Sequence, residues 1–343
     1  LEIIMYGYSS SGDIYAINND GSPVNNFPAQ INEKILKGGA IYDINNNGYD
    51  DIVVATENDK LIAVIYDDGT IEELFTSSDK FKSIPSIIDY NGEIIITAGD
   101  EGGNFYGLKL DGTLAFHVIT GNNIRSSAGF IELDNTLGIF FGSEDGNLYG
   151  IDINGNNLNG WPQNILQNNT EIKINSSPVF ADVNGDDNPE IITASEQGHL
   201  IIYNIDGTQF ENFPLSYNYG FISSPTIADL DGDNDLEIVI GTAQNLSVID
   251  LKYTTYSNNS SYWNTYQGDS MRSGVYIYSG GNIVLGDLNE DSLIDVLDLV
   301  IVINIIIGNE IPNTNQLISG DINADDTIDV LDIVQLVNSI LSN

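Results

Sequence analysis

Residues 223–242, SSPTIADLDGDNDLEIVIGT, contain three features that recur along most of the chain: a small-residue start, an acidic loop and an apolar strand. The start recurs as GGA at 38, SIP at 83, SSA at 126 and SSP at 176, with roughly 43 to 50 residues between copies. Each unit also has an alternating segment that ends in a DG or NG turn, such as NFYGLKLDGT from Asn104. Turns of this kind join antiparallel strands, so each unit predicts a short antiparallel sheet.

The repeat predicts an all-β propeller, because sheets of four short strands at this spacing are typical of propeller blades. No helical periodicity interrupts residues 1–255. Six cycles can be counted, and the first begins at Leu1 without its first strand. Either the stretch near Tyr276 supplies that strand and closes the ring, or upstream sequence does. We therefore expect about six to seven four-stranded blades.

A second, smaller domain is predicted at the C-terminus. After Leu251 the repeat gives way to an aromatic-rich segment, and Gly280-Gly281 reads as a linker. Beyond it, residues 296–307 and 330–341 are apolar runs of helix length. The expected domains are a propeller with its aromatic segment at 1–278, a linker at 279–282 and a helical calcium-binding domain at 283–343.

The charge of the chain excludes some partners and suggests a cofactor. The 343 residues include 50 acidic and 10 basic side chains, a formal charge of −40. Binding to nucleic acids or to anionic membranes is therefore disfavoured, because few Lys or Arg side chains can contact their phosphate groups. Such a charge opposes compaction unless bound cations neutralise it, and calcium is the expected neutraliser. Cysteine is absent, which excludes disulfides and thiolate metal sites. No apolar run is long enough to span a bilayer, and no signal-peptide pattern begins the chain, so a mature or truncated protein is expected.

Three cycles carry an acidic loop: DINNNGYDD from Asp43, DVNGDDNPE from Asp182 and DLDGDNDLE from Asp229. Oxygen ligands at loop positions 1, 3, 5 and 9, with a main-chain carbonyl at position 7, can surround one calcium ion. The alternative is that Asp, Asn and Gly merely form good turns. Repetition in register with the blade period favours calcium over that alternative.

These cycles resemble the FG-GAP/VCBS repeat of integrin-type propellers, over about residues 1–255. The resemblance implies calcium ligands in each loop, with the residue at position 7 acting through its carbonyl, and Glu in place of the usual Asp at position 9 in two loops. The implied ligands are Asp43, Asn45, Asn47, Tyr49 and Asp51; Asp182, Asn184, Asp186, Asn188 and Glu190; and Asp229, Asp231, Asp233, Asp235 and Glu237. It also implies an adhesive, carbohydrate-binding or spacer module of a secreted protein.

The C-terminal region repeats a second motif, GDLNEDSLIDVLDLVIVINIII from Gly286 and GDINADDTIDVLDIVQLVNSIL from Gly320. Oxygen side chains fall at positions 1, 3, 5 and 12 of a calcium loop, and position 9 would act through water. The two copies resemble the type I dockerin, whose paired loop-helix units bind calcium. The expected ligands are Asp287, Asn289, Asp291, Leu293, Asp295 and Asp298, and Asp321, Asn323, Asp325, Thr327, Asp329 and Asp332. Position 6 is Ser292 or Asp326 where Gly is usual, which predicts weaker binding.

In dockerins, positions 10 and 11 face the cohesin partner, and here they are apolar in both copies: Val296, Leu297, Val330 and Leu331. The resemblance therefore implies a hydrophobic contact with a cohesin-like domain. The alternative is that these four side chains pack in the domain's own small core.

Catalysis is not expected. His117 and His199 lie on repeat strands at positions where other cycles carry ordinary residues, and no nucleophile elbow or Ser-His-Asp pattern is present. Trp161 and Trp263, with Tyr256, Tyr262 and Tyr266, are candidates for stacking on sugars, although packing is the commoner role of such residues.

The sequence thus predicts an extracellular, secreted or surface-attached calcium-binding scaffold or adhesion protein with about five calcium sites. Its dockerin-like tail would mediate assembly with a cohesin-like domain or another surface protein. Two alternatives stay open: a polysaccharide-binding propeller capped by its own tail, or the C-terminal part of a larger secreted hydrolase.

Overall fold

The chain folds into two compact units, Leu1–Tyr276 and Ile277–Asn343. The computed structural model describes residues 2–64, 69–133, 136–167, 170–186, 188–233, 235–252, 262–278, 285–289, 293–309, 312, 314–323 and 327–342. The predicted linker at 279–282 lies outside the described residues. None of the described helices is long and apolar enough to cross a membrane.

Six blade-like sheets follow one another in the first unit, and sequential antiparallel strands build each of them. The first sheet contains β1 (Ile3–Tyr6), β2 (Asp13–Ile17) and β3 (Ala29–Gln30). The second contains β4 (Ile35–Tyr42), β5 (Asp51–Thr56), β6 (Lys60–Val64) and β7 (Ile71–Thr76). The third contains β8 (Ser86–Tyr90), β9 (Glu93–Gly99), β10 (Asn104–Lys109) and β11 (Leu114–Ile119).

The later sheets keep this order. The fourth contains β12 (Gly129–Leu133), β13 (Thr136–Gly142), β14 (Asn147–Ile151) and β15 (Gln163–Asn164), and a hairpin of β16 (Leu166–Gln167) and β17 (Thr170–Glu171) follows. The fifth contains β18 (Val179–Ala181), β19 (Glu190–Ala194), β20 (His199–Asn204) and β21 (Leu215–Ser216). The sixth contains β22 (Thr226–Ala228), β23 (Leu236–Gly241) and β24 (Leu246–Leu251). The predicted β-propeller is therefore confirmed.

The core lies between the faces of neighbouring sheets. The second strand of a sheet contains an apolar run, such as IVVA in β5, and all of β5 is buried. Runs of this kind can be buried on both faces because a sheet packs on either side of them. One cluster joins the fifth and sixth sheets through Ile192, Leu200, Ile227 and Ile238.

Serine hydroxyls link the small-residue starts of successive sheets. The backbone N–H of Ile84 donates to Ser127 Oγ at 3.2 Å, and the N–H of Ser127 donates to Ser177 Oγ at 2.9 Å. The N–H of Ser177 in turn donates to Ser224 Oγ at 2.8 Å. A small hydroxyl residue is needed here because first strands approach one another closely and each leaves a buried N–H to satisfy.

The segment after the sixth sheet lies among the first strands of the sheets. Four of its carbonyl oxygens accept hydrogen bonds from backbone N–H groups of first strands. The pairs are Phe180 N–H to Trp263, Ile227 N–H to Asn264, Ile41 N–H to Ser273 and Ile87 N–H to Gly274. The Trp263 ring also meets Phe130 edge-on, with 5.0 Å between centroids. Because five sheets contribute to these contacts, their first strands surround a common axis that this segment occupies.

The C-terminal end of this segment does not complete the first sheet, one of the two options that the sequence left open. Strand β25 (Val275–Tyr278) is instead the neighbour of β8 in the third sheet. Among the described residues the first sheet has three strands. The reason is that Gly274 already pairs with Ile87, which places the following residues beside β8.

The second unit is helical, as predicted. Its helices are α1 (Val296–Ile306), α2 (Thr314–Gly320) and α3 (Val330–Ser342). The short helix α2 was not predicted, since TNQLISG is too short to show helical periodicity. Leu288, Val302 and Leu336 form the buried centre of the unit, and isoleucines from both copies of the repeat pack around them.

Candidate calcium loops and partner surface

The three acidic loops of the propeller lie at the same end of the sheets. Each connects the first strand of its sheet to the second: β4 to β5, β18 to β19 and β22 to β23. First strands surround the axis and run in the same direction, so these loops share one end of the propeller. The sequence predicted this placement between the two strands.

The third loop brings carboxylates closest together. Oxygens of Asp229, Asp231 and Glu237 lie within 4.8 Å of one another, and so do oxygens of Asp233, Asp235 and Glu237. These are the only such triads of acidic groups among the described residues. The hydrogen bond that Asp235 shares with Asp233 raises the pKa of Asp235 to about 6, with desolvation and the Asp233 charge adding to the effect. Oxygen-only groups of this density suit a hard cation such as calcium.

The second loop is organised around two buried carboxylates. Asp182 Oδ1 accepts hydrogen bonds from the N–H groups of Asn184, Gly185 and Asp186. Glu190 Oε2 accepts from Val183 N at 2.8 Å, and Oε1 accepts from Asn184 Nδ2 at 3.1 Å. Burial raises the pKa of Glu190 to about 8, against the effect of the Val183 donor and with help from the Asp186 and Asp182 charges. A bound cation would supply the positive charge that this carboxylate lacks.

Glutamate at position 9 has the same contact in two loops. In the third loop, Glu237 Oε2 accepts from Leu230 N at 2.6 Å, as Glu190 does from Val183. The longer side chain reaches back to the N–H of position 2 and still keeps its second oxygen inside the loop. The hydrogen bond from the N–H of position 2 to the glutamate was not predicted. The replacement of Asp by the longer Glu at position 9 is the sequence feature that could have indicated it.

The first loop is more open. Asp43 accepts from Asn47 N at 3.0 Å and from Gly48 N at 2.7 Å, while Asn47 Oδ1 accepts from Tyr49 N at 2.8 Å. Asp51 is fully buried at the start of β5. Asp50, which the sequence reading missed, has its pKa raised by burial and then by the charges of Asp43 and Glu2. The two adjacent aspartates at 50–51 are the sequence feature that could have indicated a role for Asp50.

In the first C-terminal loop, Asp298 is the organising residue. Its carboxylate is fully buried, and Oδ1 accepts from Leu288 N at 2.8 Å and from Asn289 N at 3.1 Å. Its Oδ2 accepts from Asp295 N at 2.9 Å. Asp295 in turn caps α1 by accepting from Leu297 N at 2.7 Å. The loop and the start of the helix are thereby fixed to one carboxylate.

The second C-terminal loop repeats this geometry with Asp332 in the place of Asp298. Asp332 is fully buried, and its Oδ1 accepts from Ile322 N at 2.8 Å and Asn323 N at 3.2 Å. Its Oδ2 accepts from Asp329 N at 2.8 Å, and Asp329 accepts from Leu331 N at 2.6 Å. Asp295 and Asp329, predicted to act through water at position 9, are therefore also helix caps.

The charges of the C-terminal unit fit a bound cation. No Lys, Arg or His follows Arg272 in the sequence, so the buried Asp298, Asp332 and Asp287 have no side-chain cation in their own unit. A buried charge is costly unless an opposite charge and hydrogen bonds stabilise it. Calcium would supply that charge and would use the oxygen donors of the two loops. Asp291 and Asp325 lie outside the described residues, and the carbonyl ligands at Tyr49, Asn188, Leu293 and Thr327 stay predictions.

The four residues predicted to face a partner are exposed. Val296, Leu297, Val330 and Leu331 have 61, 55, 62 and 58 % of their surface accessible. They therefore do not form the core of the unit, which was the alternative. Val300 and Val334, one turn further along each helix, are 50 and 54 % exposed and extend the two faces. Val300 and Val334 lie four residues after Val296 and Val330, a spacing that places each pair on one face of its helix, and the sequence analysis did not include them.

The two tryptophans considered for sugar stacking are used in packing. Trp161 and Trp263 are 6 and 4 % exposed, and the Trp161 indole N–H donates to the Ile205 carbonyl. Tyr256 lies outside the described residues. Each histidine contacts a neighbouring strand: His199 Nδ1 lies 3.0 Å from Ser216 Oγ, and His117 Nε2 lies 3.0 Å from Asn104 Oδ1.

Two family models match parts of the chain. Residues 182–240 match the FG-GAP-like repeat, and residues 285–341 match the dockerin type I domain. The chain therefore contains an FG-GAP-like repeat region followed by a type I dockerin domain. Dockerin domains bind calcium, and the implied partner of such a domain is a cohesin. No curated protein matches the chain.

Solved structures resemble the propeller at low sequence identity. Sqt1 from Saccharomyces cerevisiae has a TM-score of 0.51 at 12 % identity, over 71 % of this chain and 68 % of its own. BamB from Moraxella catarrhalis has a TM-score of 0.47 at 17 % identity, over 74 % of this chain and 84 % of its own. The Sqt1 likeness supports the propeller fold and carries no information on function.

Proposed function

We propose that this chain, which joins an FG-GAP-like repeat region to a type I dockerin domain, is an extracellular assembly protein that calcium organises. The dockerin would dock on a cohesin-like domain and attach the propeller to a larger complex or surface. The observation that carries the proposal is the exposure of four apolar side chains, Val296, Leu297, Val330 and Leu331, directly after the two calcium loops.

Calcium couples to this surface through the helix starts. Asp298 and Asp332 fix the backbone of their loops and the first turns of α1 and α3. Leu297 and Leu331 donate their N–H groups to the caps Asp295 and Asp329. A cation that holds the loop carboxylates in place would therefore also position the apolar pairs.

The propeller is proposed to act as a binding or spacer module with three calcium sites of its own, which makes about five in the chain. Burial of Trp161 and Trp263 weighs against sugar stacking by these residues. A non-catalytic role is consistent with the strand-packing positions of the histidines.

The test is calcium-dependent capture of the full chain by an immobilised cohesin. We expect the double variant Leu297→Asp plus Leu331→Asp to abolish capture while calcium content stays unchanged, since both side chains point away from the core. Leu317→Asp on α2 is the matched control, because Leu317 is 49 % exposed in the same unit. Capture that survives the double variant, or that proceeds equally well with a chelator present, would refute the assembly role.

A further inference from the structure

A belt of alternating charges spans the second to fifth sheets, at the end of their first strands opposite the acidic loops. It lies where the first strands of the sheets begin, and links between neighbouring sheets alternate with links within one sheet. Lys82 Nζ lies 3.9 Å from Glu57 and 3.5 Å from Glu101. Arg125 lies 3.6 Å from Glu101 and 2.7 Å from Glu144, and Lys173 lies 3.0 Å from Glu144. Half of the chain's 10 basic residues, Lys34, Lys37, Lys82, Arg125 and Lys173, cluster at this end.

Lys37 is the member of this group that has no carboxylate partner. Its Nζ donates to the Arg125 carbonyl oxygen at 2.9 Å, and no carboxylate of the described residues lies within 4.0 Å of it. The bond joins the second sheet to the start of the fourth, which is not its neighbour in the chain order of the sheets.

The backbone presents Lys37 by a local irregularity. The register between β4 and β5 shifts between Ile35 and Gly39, and Gly38 has a φ of +145°. A bulge of this kind turns a side chain out of the regular alternation of a strand, and bulges recur beside functional sites. In a regular strand, the alternation of side chains between the two faces of the sheet would fix the direction of the Lys37 side chain, and the register shift removes that constraint.

The electrostatic surroundings of Lys37 are positive. Burial of the ammonium group, followed by the charges of Arg125 and Lys82, lowers the pKa of Lys37 to about 8, although part of the side chain stays exposed. Lys82 is itself only 11 % exposed. Tyr6 packs beside Gly38, and Glu57, Glu101 and Glu144 are engaged with Lys82, Arg125 and Lys173.

The charge balance sets the class of ligand. Lys82 and Arg125 share Glu101, so a negative charge already stands between them and would repel a dianion. Lys37 is the one of the five basic groups at this end that has no carboxylate of the described residues within 4.0 Å, so it offers a ligand one unpaired positive charge, which suits a group of single negative charge. The planar donors of Arg125 and the ammonium of Lys37 match the oxygens of a carboxylate.

We propose that Lys37, with Lys82 and Arg125, forms a binding site for a ligand carrying one carboxylate group at this end of the propeller axis. The site would bind either a simple organic acid or the carboxylate of an acidic sugar. It uses no residue of the dockerin, and the calcium loops of the propeller lie at the other end of the first strands.

The test is titration of the full chain, at fixed free calcium, with acetate, glucuronate, glucose and inorganic sulfate, followed by calorimetry in the parent and the variants and by the NMR signal of the Lys37 side chain in the parent. We expect saturable shifts with a carboxylate, none with glucose, and weaker binding of sulfate. Lys37→Gln should weaken carboxylate binding about tenfold or more, the effect of losing one charged hydrogen bond. Lys109→Gln is the matched control, since Lys109 pairs with Glu93 at a distance from the axis.

The outcomes separate the sources of the carboxylate. Binding of glucuronate but not acetate would assign the site to an acidic sugar, and comparable binding of both would assign it to the carboxylate alone. Sulfate binding as tight as that of the carboxylates would overturn the argument from single charge. No saturable shift with any carboxylate, or binding unchanged in Lys37→Gln, would overturn the site itself.

Discussion

At the scale of single residues, the carboxylate at position 12 of each C-terminal loop holds most of the local structure. Asp298 and Asp332 each accept three backbone N–H groups while fully buried. Aspartate is short, so it reaches these donors only because the loop folds tightly back on the first turn of the helix. The same residue would be a calcium ligand, which links the fold of the loop to the cation.

We expect Asp332→Asn to destabilise the second C-terminal loop by about 1.5–3 kcal/mol in calcium, because an amide cannot accept at both ends of the side chain. Hydrogen exchange of the α3 amides in the full chain measures this loss. Gln335→Ala, an exposed change on the same helix, should stay within about 0.5 kcal/mol of the parent. Unchanged α3 exchange in Asp332→Asn would contradict the assigned role.

Lys37 should give the stability of the propeller a distinct dependence on pH. Its pKa is lowered from 10.5 to about 8 on folding, so the unfolded chain binds this proton more tightly. The resulting destabilisation is fully present below pH 8, and stability rises as the pH increases from about 8 to 10.5. Solvent screening limits the effect to about 1 kcal/mol. Unfolding curves of Lys37→Gln should lack this rise, and a rise that persists in the variant would assign it to other groups.

At the scale of elements, the first strands are the most constrained part of each sheet. They surround the axis, contact the segment 263–274 and exchange serine hydroxyl contacts with their neighbours. The small residues at the start of each first strand allow neighbouring first strands to lie close together; they are not there to form a turn. Their repetition in the sequence therefore reflects contacts between sheets.

Ser177→Ala should destabilise the propeller by about 1–2 kcal/mol, because the buried N–H of Ser127 loses its acceptor. Thermal or denaturant unfolding of the full chain measures the loss. Ser78→Ala, an exposed serine substitution, is the control and should change stability by less than about 0.5 kcal/mol. Equal stability of the two variants would show that the serine contacts do not join the sheets.

At the scale of the whole molecule, charge is distributed unevenly. The propeller carries acidic loops at one end of its first strands and a belt of ion pairs at the other. The C-terminal unit contains carboxylates but no basic side chain. Bound cations can compensate locally the part of the net charge of −40 that lies in the acidic loops.

Removal of calcium by a chelator should lower the melting temperature of both units. Raising the ionic strength from about 0.1 to 1 M without calcium should restore part of the loss, since the Debye length falls from about 10 to 3 Å. Calorimetry on the full chain, with elemental analysis of bound metal, measures both effects. A melting profile that ignores the chelator, with no bound alkaline-earth metal, would remove the basis for the calcium sites.

Periodicity and spacing alone determined the propeller, the helical C-terminal region and the placement of each acidic loop, because these patterns are local and repeat in register. They did not determine the position of β25, the helix α2 or the burial of Trp161 and Trp263. Each of these depends on contacts between residues far apart in the sequence. Lys37 is a further example: its sequence context is ordinary, and only the bulge in β4 and the ring of sheets bring it to Arg125.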